Sequence, residues 1–295
     1  MQLLTIISPQ TTPYLNIAVE GALARRDTVV LYLWRNRRTV VIGRNQNPFA
    51  EVNLDALLAE GGFLARRHTG GGAVYHDDGN LNFSFIAPPE LYDQERQFSV
   101  VCDALAQFGI RAEVSGRNDL VCQGRKVSGN AFSRRGDAYL HHGTLLIRTN
   151  ISDLSRYLRP QPAKLLRHGV ESVRSRVANL GDICPELTAE SIMPVIVASF
   201  EKIYGSRSGE IGWATLCDSE RVEREKQILS SEEWLYGRWQ SFTVQRRMQF
   251  PWGDAEVCIT SEEGRVVDVQ IATDAIDIEA VECTRNQILN GELLV

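Results

Sequence analysis

Three consecutive glycines, residues 70–72, place the strongest constraint on how this chain can fold. They follow a run that is predicted to be a strand, 63–67, which ends in Arg66 and Arg67. Glycine permits positive φ and lets a ligand approach the main chain, so the N–H groups of such a loop can converge on an anion. The arginines can add charge-assisted, bidentate hydrogen bonds to phosphate. A bare triple glycine is also typical of a tight turn without a ligand, and the spacing matches no standard nucleotide-binding fingerprint.

A second constellation surrounds Lys126, which stands at the start of a predicted strand and directly after the turn 123–125. Small residues follow it, among them Ser128, Gly129 and Ala131, so they leave its ammonium free to extend into a cleft. A lysine fixed in this way can hold a carboxylate and an α-phosphate at once. The alternative is a solvated surface lysine, which is the usual role of a lysine beside a turn.

Two adjacent histidines, His141 and His142, lie on another predicted strand and precede Gly143. Successive side chains of a strand point to opposite faces, so the two histidines cannot ligate one metal ion. No cysteine or carboxylate stands nearby at ligand spacing, which argues against a zinc site. Two interpretations stay open here: a buried, hydrogen-bonded histidine or a histidine that lines a substrate pocket.

The charge balance and the cysteines exclude several classes of protein. With 32 basic and 37 acidic residues, the 295-residue chain has a net charge of -5 and offers no overall attraction to nucleic acid or an anionic membrane. Its six cysteines are widely spread and form no C-x-x-C pair, which is typical of reduced thiols in the cytosol. The sequence contains neither a recognisable signal peptide nor an apolar run of membrane-spanning length. We therefore expect a cytoplasmic protein.

Hydrophobic periodicity predicts short strands with helices between some of them, that is, a mixed α/β sheet domain. Residues 29–34 and 39–42 are separated by a polar, turn-compatible segment and are predicted to pair as a hairpin. A stretch rich in glycine and serine, 206–218, is predicted to link a catalytic domain of residues 1–205 to a small α+β domain of residues 219–295. The other predicted helices are 14–25, 54–60, 98–108, 192–204 and a tail from Ile276, and the other predicted strands are 63–67, 73–75, 81–86, 119–122, 126–131, 139–147, 242–246, 255–260 and 266–271.

Four separated motifs occur in order along the chain, and together they resemble the lipoate-protein ligase A family. They are R-R-x-T-G-G-G-A-V-Y-H-D-x-G-N from Arg66, G-R-N-D-L from Gly116, G-R-K-V-S-G-N-A from Gly124 and H-H-G-T-L-L from His141. Residues 172–180 look like a further segment of the family. The resemblance implies the α/β fold that these enzymes share with biotin ligases, with a large catalytic domain and a small accessory domain. Because larger relatives continue further, the accessory domain is expected to be truncated.

The resemblance also implies the reaction, an ATP- and Mg2+-dependent ligation of lipoate to a lysine through lipoyl-AMP. The implied acceptors are the lipoyl domains of 2-oxoacid dehydrogenase acyltransferase subunits and the glycine cleavage H protein, and we expect a monomer that binds neither nucleic acid nor membranes. By motif match, ATP or the adenylate is expected at Arg67, Gly72, Ala73, Val74, Tyr75, Asp77, Asn80, Asn118, Asp119 and Lys126, with Mg2+ at Asp119 and Lys126 as the catalytic residue. Lipoate is expected at Arg66, Gly71, His76, Lys126, Ser128, Gly129, Ala131, His142 and Gly143.

Two other functions stay open at this point. An ATP-independent octanoyl or lipoyl transferase would carry the acyl group on a cysteine, and Cys122 is the cysteine nearest to Lys126 in the sequence. A cysteine in an apolar strand is more typical of a small buried hydrophobic residue than of a thiolate nucleophile. A non-catalytic lipoate- or nucleotide-binding module would need the same pocket without turnover. The sequence identifies neither the base for the acceptor lysine nor the choice between lipoate and octanoate.

Overall fold

The computed structural model of the chain describes residues 1–116, 118–159, 177–217, 219–237, 244–262 and 265–293. Most of the family-like segment 172–180 and the turn at 263–264 lie outside these described residues. The strands are β1 (Gln2–Ile7), β2 (Thr28–Trp34), β3 (Thr39–Ile42), β4 (Phe63–Arg66), β5 (Val74–His76), β6 (Asn80–Ala87), β7 (Glu113–Ser115), β8 (Asp119–Cys122), β9 (Arg125–Arg135), β10 (Ala138–Leu146), β11 (Ser208–Glu210), β12 (Val244–Phe250), β13 (Gly253–Glu262) and β14 (Arg265–Ala272).

Every predicted helix is present with shifted ends, whereas the helices at 48–51, 151–157, 213–217, 220–230 and 232–235 were not predicted. The helix predicted from Phe98 begins four residues earlier, at Gln94, because the side chain of Asp93 accepts a hydrogen bond from the main-chain N–H of Arg96. No helix within the described ranges is both long and apolar enough to cross a bilayer. The helices are α1 (Pro13–Ala22), α2 (Pro48–Glu51), α3 (Leu54–Ala59), α4 (Gln94–Ala106), α5 (Ile151–Tyr157), α6 (Ala189–Tyr204), α7 (Trp213–Cys217), α8 (Glu220–Ser230), α9 (Glu232–Leu235) and α10 (Ile278–Leu289).

A large mixed sheet forms the body of the chain. Its eight strands among the described residues have the order β11-β1-β2-β6-β10-β9-β8-β7. The pairs that β1 makes with β11 and β2 are parallel, whereas every pair from β2 to β7 is antiparallel. The prediction of a mixed α/β sheet domain is thus confirmed.

The predicted hairpin of residues 29–34 and 39–42 is wrong. Strand β2 is buried along its whole length, and its two edges are taken by β1 and β6. Strand β3 instead belongs to a separate three-stranded sheet of order β4-β3-β5, parallel to β4 and antiparallel to β5. Turn chemistry between two strands allows them to pair, but the more extensive burial of β2 inside the large sheet decides the outcome.

The two faces of the large sheet bury different layers, as the alternation of strand side chains requires. Leu31 and Leu33 of β2 pack with residues of α4 and α6 in one core. Tyr32 and Trp34, which point to the other face, pack with α1 and with the small sheet of β3 to β5. This second face of the large sheet is therefore covered by α1 and by the segment that carries the three glycines.

The stretch predicted as a linker, 206–218, carries β11 at the edge of the large sheet and the helix α7. The next helix, α8, packs against α1. A further antiparallel sheet of order β12-β13-β14 follows, with α10 packed on β14. The position of the domain boundary stays a prediction, and the third sheet begins at Val244.

Gly79 fixes the turn between β5 and β6 by close backbone contact. Its carbonyl accepts hydrogen bonds from the N–H groups of Ile147 and Arg148, and a Cβ at this position would overlap the carbonyl of Arg148. We predict that Gly79→Ala lowers the free energy of unfolding by about 1–3 kcal/mol, because the backbones must separate to admit the methyl group. The measurement is urea unfolding followed by circular dichroism.

The matched control for this substitution is Gly212→Ala. Its Cβ would lie 3.7 Å from the Thr215 hydroxyl, an ordinary contact, so a change within about 0.5 kcal/mol is expected. Equal effects of the two substitutions would contradict the steric role of Gly79.

Candidate active site

The face of the large sheet that points toward α1 carries a row of polar and small side chains. Residues paired across antiparallel strands project from the same face. His142 of β10 pairs with Ser84 of β6 on one side and with Ala131 of β9 on the other. The same rule places four more residues on this face, namely Tyr32, Trp34, Asn82 and Thr144.

Lys126 reaches the same face because β9 contains a bulge. Leu120 of β8 pairs with Ser128, but the next residue, Val121, pairs with Lys126, so β9 accommodates one extra residue. A Cβ on Gly129 would lie 2.9 Å from the Lys126 Nζ, which shows that the ammonium lies over Gly129. Strict alternation without the bulge would point Lys126 and Gly129 to opposite faces.

The Lys126 ammonium has a carboxylate partner, Asp119 of β8. The distance between Lys126 Nζ and Asp119 Oδ1 is 2.7 Å, and the two side chains are 34% and 33% exposed. Both groups are therefore accessible from solvent while remaining fixed in place. The predicted neighbours Gly129 and Ala131 lie beside this pair and leave space over the sheet.

Arg67 is folded into the glycine loop that follows it. Its side chain is 7% exposed, and Nη2 donates to the carbonyls of Gly70 (2.7 Å) and Gly72 (2.8 Å). Nη1 donates to the carbonyl of Val41, and Nε donates to the Thr69 hydroxyl. Burial lowers the pKa of Arg67 to about 10, and the nearby Glu20 carboxylate opposes this shift, so the side chain stays charged at neutral pH. Arg67 thus determines the shape of the loop in which a bound anion is predicted.

The glycine loop also contacts the segment after β14. The N–H of Gly71, whose φ is +90°, donates to the carbonyl of Ala275 at 2.9 Å. Any side chain on Gly70 would collide with that same carbonyl. On the other side of this segment, the N–H of Thr273 donates to the carbonyl of Asn45. One backbone hydrogen bond therefore holds the segment 273–275 against the glycine loop, and a second holds it against the loop after β3.

Arg66, the neighbour of Arg67, makes contacts of a different kind. Its guanidinium is buried and donates five hydrogen bonds to main-chain carbonyls, those of Gly43, Arg44, Gln46, Trp234 and Leu235. These bonds tie β4 to the loop after β3 and to α9. Arg66 thereby acquires a positioning role, while its predicted contact with lipoate stays a prediction.

His76 lies at the end of β5, beside the polar face. Its ring is buried, contacts Trp34 edge-on at 6.0 Å between centroids, and places Nδ1 3.2 Å from the side-chain nitrogen of Asn36. Burial, together with the charges of Arg67 and His142, lowers the pKa of His76 to about 3. The imidazole is therefore neutral over the physiological range.

The predicted nucleotide residues between Gly72 and Asn80 are held in place by the packing and hydrogen bonds of their side chains. Val74 packs toward the large sheet, whereas the Tyr75 ring packs on the other side of the small sheet, 5.4 Å from that of Tyr157, and Ala73 packs beside it. Asp77 accepts hydrogen bonds from the N–H groups of Gly79 and Asn150, although burial raises its pKa. Asn80 is buried and donates to the side chain of Asn82.

Three of the predicted residues do not lie on the face that carries His142. Ser128 and Gly143 lie on the opposite face of the sheet, and Asn118 supports that opposite face. Ser128 accepts a hydrogen bond from the Asn130 side chain, which also approaches His141 and donates to the carbonyl of Asn118. Asn118 in turn donates to the carbonyl of Asn130. Gly143 lies against Asn130, where a Cβ would collide with the amide oxygen. These residues hold β9, the strand that carries Lys126, from the face of the sheet opposite to the Lys126 ammonium.

Sequence reasoning missed Glu20, which is 6% exposed and accepts a hydrogen bond from the Ser84 hydroxyl beside His142. The available signal was the spacing of Asn16 and Glu20, two polar residues four apart on the otherwise apolar stripe of α1.

Cys122 lies in the core on the face away from Lys126, and burial raises the pKa of its thiol. This environment does not suit a thiolate nucleophile.

Comparison with known proteins decides the family. The profile of the lipoyl protein ligase A/B catalytic domain matches residues 12–201. Lipoate-protein ligase A of Bdellovibrio bacteriovorus is 40% identical over 95% of this chain and 86% of its own length. That of Psychrobacter cryohalolentis is 36% identical over 98% and 88%. This chain belongs to the lipoate-protein ligase A family.

Solved structures agree with this assignment. P. falciparum LipL1 in complex with lipoate superposes on the ligase with a TM-score of 0.85, at 29% identity, over 96% of this chain and 88% of that one. A lipoate-protein ligase A bound with ATP gives 0.64 at 28% identity, over 79% and 97%. A bipartite Thermoplasma acidophilum ligase, solved in a study of that enzyme and its E2 lipoyl domain, gives 0.67 at 29%, over 82% and 98%. The predicted family, its α/β fold and the function of an ATP-dependent lipoate-protein ligase are confirmed.

The buried histidines of the ligase predict a dependence of stability on pH. His141 is fully buried, and burial, with the charge of His142, lowers its pKa from 6.5 to about 3. Above pH 6.5 the imidazole is neutral in both the folded and unfolded chain, whereas between pH 6.5 and 3 only the unfolded chain binds the proton. The contribution of His141 to stability is therefore complete above pH 6.5 and is lost as the pH falls toward 3.

Glutamine does not titrate, so we predict that His141→Gln removes up to one of the protons taken up when the chain unfolds. The slope of the free energy of unfolding against pH, measured by urea unfolding between pH 4.5 and 6, should then flatten by up to about 1.4 kcal/mol per pH unit. The difference in free energy of unfolding between the variant and the parent at pH 7 to 8, where His141 is neutral in both states, measures the intrinsic effect of the substitution. An unchanged slope would contradict a neutral, buried His141.

Proposed function

We propose that this chain joins lipoate to ATP at the Lys126 ammonium and then transfers the lipoyl group to a lysine of a lipoyl domain. The observation that carries the proposal is the position of Lys126. The bulge of β9 and the ion pair with Asp119 hold its ammonium over Gly129, on the same face of the sheet as His142. A fixed ammonium beside small residues suits two anions that meet at one point. Arg67 and the glycine loop lie at the other end of that row, next to His142.

The chemistry of the first step explains why cations are needed. A lipoate carboxylate is a poor electrophile and repels the phosphates of ATP, so the site must gather both anions. A carboxylate oxygen then attacks the α-phosphorus, and pyrophosphate leaves with the electrons of the broken P–O bond. Lys126 is placed to neutralise charge that develops on the carboxyl and the α-phosphate. Its compact ammonium can contact both groups at once.

Asp119 is the proposed Mg2+ ligand. Mg2+ is usually bound through one or two carboxylates together with substrate phosphates, and the partly exposed Asp119 carboxylate, next to Lys126, fits this mode. When bound, the metal would neutralise phosphate charge. Asp119 would in addition hold Lys126 in place between reaction cycles.

The remaining predicted contacts follow the geometry of the face. The acyl chain would run over the small residues Gly129 and Ala131 toward His142 and toward His76, a neutral imidazole that contacts Trp34. The main chain of residues 72–75 would contact the nucleotide, with Asp77, Asn80 and Asn118 supporting the surrounding turns. Arg66, Ser128 and Gly143 would act on the pocket through the segments that they hold.

The acceptor is the second part of the proposal. The T. acidophilum relative is described together with its E2 lipoyl domain, and we extend this class of acceptor, with the glycine cleavage H protein, to the present chain. The neutral amine of the acceptor lysine would attack the carbonyl carbon of lipoyl-AMP, AMP would leave, and the amine would lose a proton. Residues 1–205 would form the catalytic domain, and the small domain would cover the glycine loop through segment 273–275.

The first test is lipoate-dependent exchange of pyrophosphate into ATP without an acceptor. We expect exchange, because formation of lipoyl-AMP is reversible and needs only the site on this chain. Cys122→Ser should retain most of the activity, since Cys122 lies in the core and an adenylate route requires no thiol. Acyl transfer from a carrier protein without any exchange, lost on Cys122→Ser, would support the transferase instead.

The second test addresses Lys126. Lys126→Ala should fold but lose adenylation, because removing one preorganised donor typically costs ~10²–10³ in rate. Lys126→Arg should not restore the rate, since a planar guanidinium cannot reproduce a shared point contact over Gly129. The measurement is the single-turnover rate of lipoyl-AMP formation, with circular dichroism as the folding control. A folded Lys126→Ala variant within about tenfold of the parent, ~1.4 kcal/mol of barrier, would contradict the role.

A further inference from the structure

A continuous row of hydrogen bonds runs from α1 through β10 to the glycine loop. The Nδ1 atom of His142 lies 2.9 Å from Glu20 Oε1, and its Nε2 atom lies 2.9 Å from the Thr69 hydroxyl. Arg67 Nε donates to the same hydroxyl, also at 2.9 Å. Glu20, which lies outside the four motifs, and Thr69, the threonine of the first motif, are thus connected through His142 to the arginine that shapes the loop.

One arrangement of protons in this row gives the buried Thr69 hydroxyl hydrogen an acceptor. Arg67 can only donate, so the Thr69 oxygen accepts that bond, and the Thr69 hydrogen is available for His142 Nε2. The Nε2 atom is then an acceptor, and Nδ1 carries the proton and donates to Glu20. The Ser84 hydroxyl donates to the same oxygen of Glu20 at 2.5 Å. In this arrangement the Ser84 and Thr69 hydroxyls each donate one hydrogen bond and accept one.

The row is closed to water at both ends. Trp34 Nε1 donates to the Ser84 hydroxyl at 2.9 Å, and Ser84 and Thr69 are completely buried. Burial raises the pKa of Glu20, but the opposing effects of His142 and Ser84 are together larger, so the pKa is lowered and the carboxylate is charged. In such an environment each bond is strong, and removing one partner leaves the next one unsatisfied.

We propose that Glu20 and Thr69 are positioning residues for the formation of lipoyl-AMP. Glu20 fixes the tautomer and the ring orientation of His142, and Thr69 transmits this constraint to Arg67 and the glycine loop. The inference rests on the proposed function of the site, because it assigns the loop a part in adenylation. A loop displaced by as little as 1 Å can cost ~10² in rate even when no residue in contact with the reacting atoms is changed.

Two variants at one position isolate the hydrogen bond from packing. Thr69→Val has nearly the same shape but loses both bonds, whereas Thr69→Ser keeps the hydroxyl and loses a methyl group. In single-turnover adenylation at saturating lipoate and ATP, Thr69→Val should be slower by ~10² and Thr69→Ser by no more than about threefold. Thermal unfolding of both variants shows whether the fold is retained. Rates within about threefold of each other would overturn the proposal.

The tautomer supplies an independent readout. The imidazole 15N shifts of His142 in the parent should be those of a neutral ring protonated at Nδ1, and Glu20→Ala should abolish that preference. Because the residues act in series, the Glu20→Ala/Thr69→Val double variant should be at most about threefold slower than the slower single variant. An Nε2-protonated or doubly protonated His142 in the parent at neutral pH would overturn the proposal even if Glu20→Ala fails to fold.

The outcome for the network is separable from the outcome for the proposed function. If the parent shows no lipoate-dependent pyrophosphate exchange, the function assigned to the site fails. If the parent exchanges normally and the two Thr69 variants have equal rates, only the positioning roles of Glu20 and Thr69 fail.

Discussion

A guanidinium group removed from water needs an acceptor for each of its N–H groups, and this requirement organises the site. Arg66 and Arg67 are neighbours at the end of β4, and both are buried. Extended chain sends consecutive side chains to opposite sides. Arg66 therefore collects carbonyls from the loop after β3 and from α9, while Arg67 collects those of the glycine loop and β3. Two adjacent residues thus bind the small sheet, the loop after β3, the glycine loop and α9 to one another.

The second constraint is the irregularity of β9. A regular strand would keep Lys126 on the face of Ser128, turned toward the core, where an ammonium without a partner is costly. The extra residue in the strand restores Lys126 to the face of Gly129, and Asp119 of the neighbouring strand lies within 2.7 Å of its ammonium. The bulge combines the rigidity of a sheet with a charged group at its surface, a combination that suits a site for two anions.

Local patterns predicted the elements better than their arrangement. The helix α6 could be placed from Thr188, which caps its first turn, and from Gly205, which ends it with φ +71°. The pairing of β2 could not be placed in the same way, because two strands and a polar turn also describe a hairpin. The pairing depends on β1 and β6, which lie far away in the sequence and cover both edges of β2.

The sequence alone determined the family and the residue types of the site, because ordered motifs such as R-R-x-T-G-G-G and G-R-K-V-S-G preserve the groups that the chemistry needs. Only the tertiary structure decided which of those groups share a face and which support it from behind. Glu20 became part of the site through a hydrogen bond to a residue 122 positions away. The physical reason is that propensity and capping act over a few neighbouring residues, whereas burial, charge pairing and hydrogen-bond direction depend on whichever segments the sheet order brings into contact.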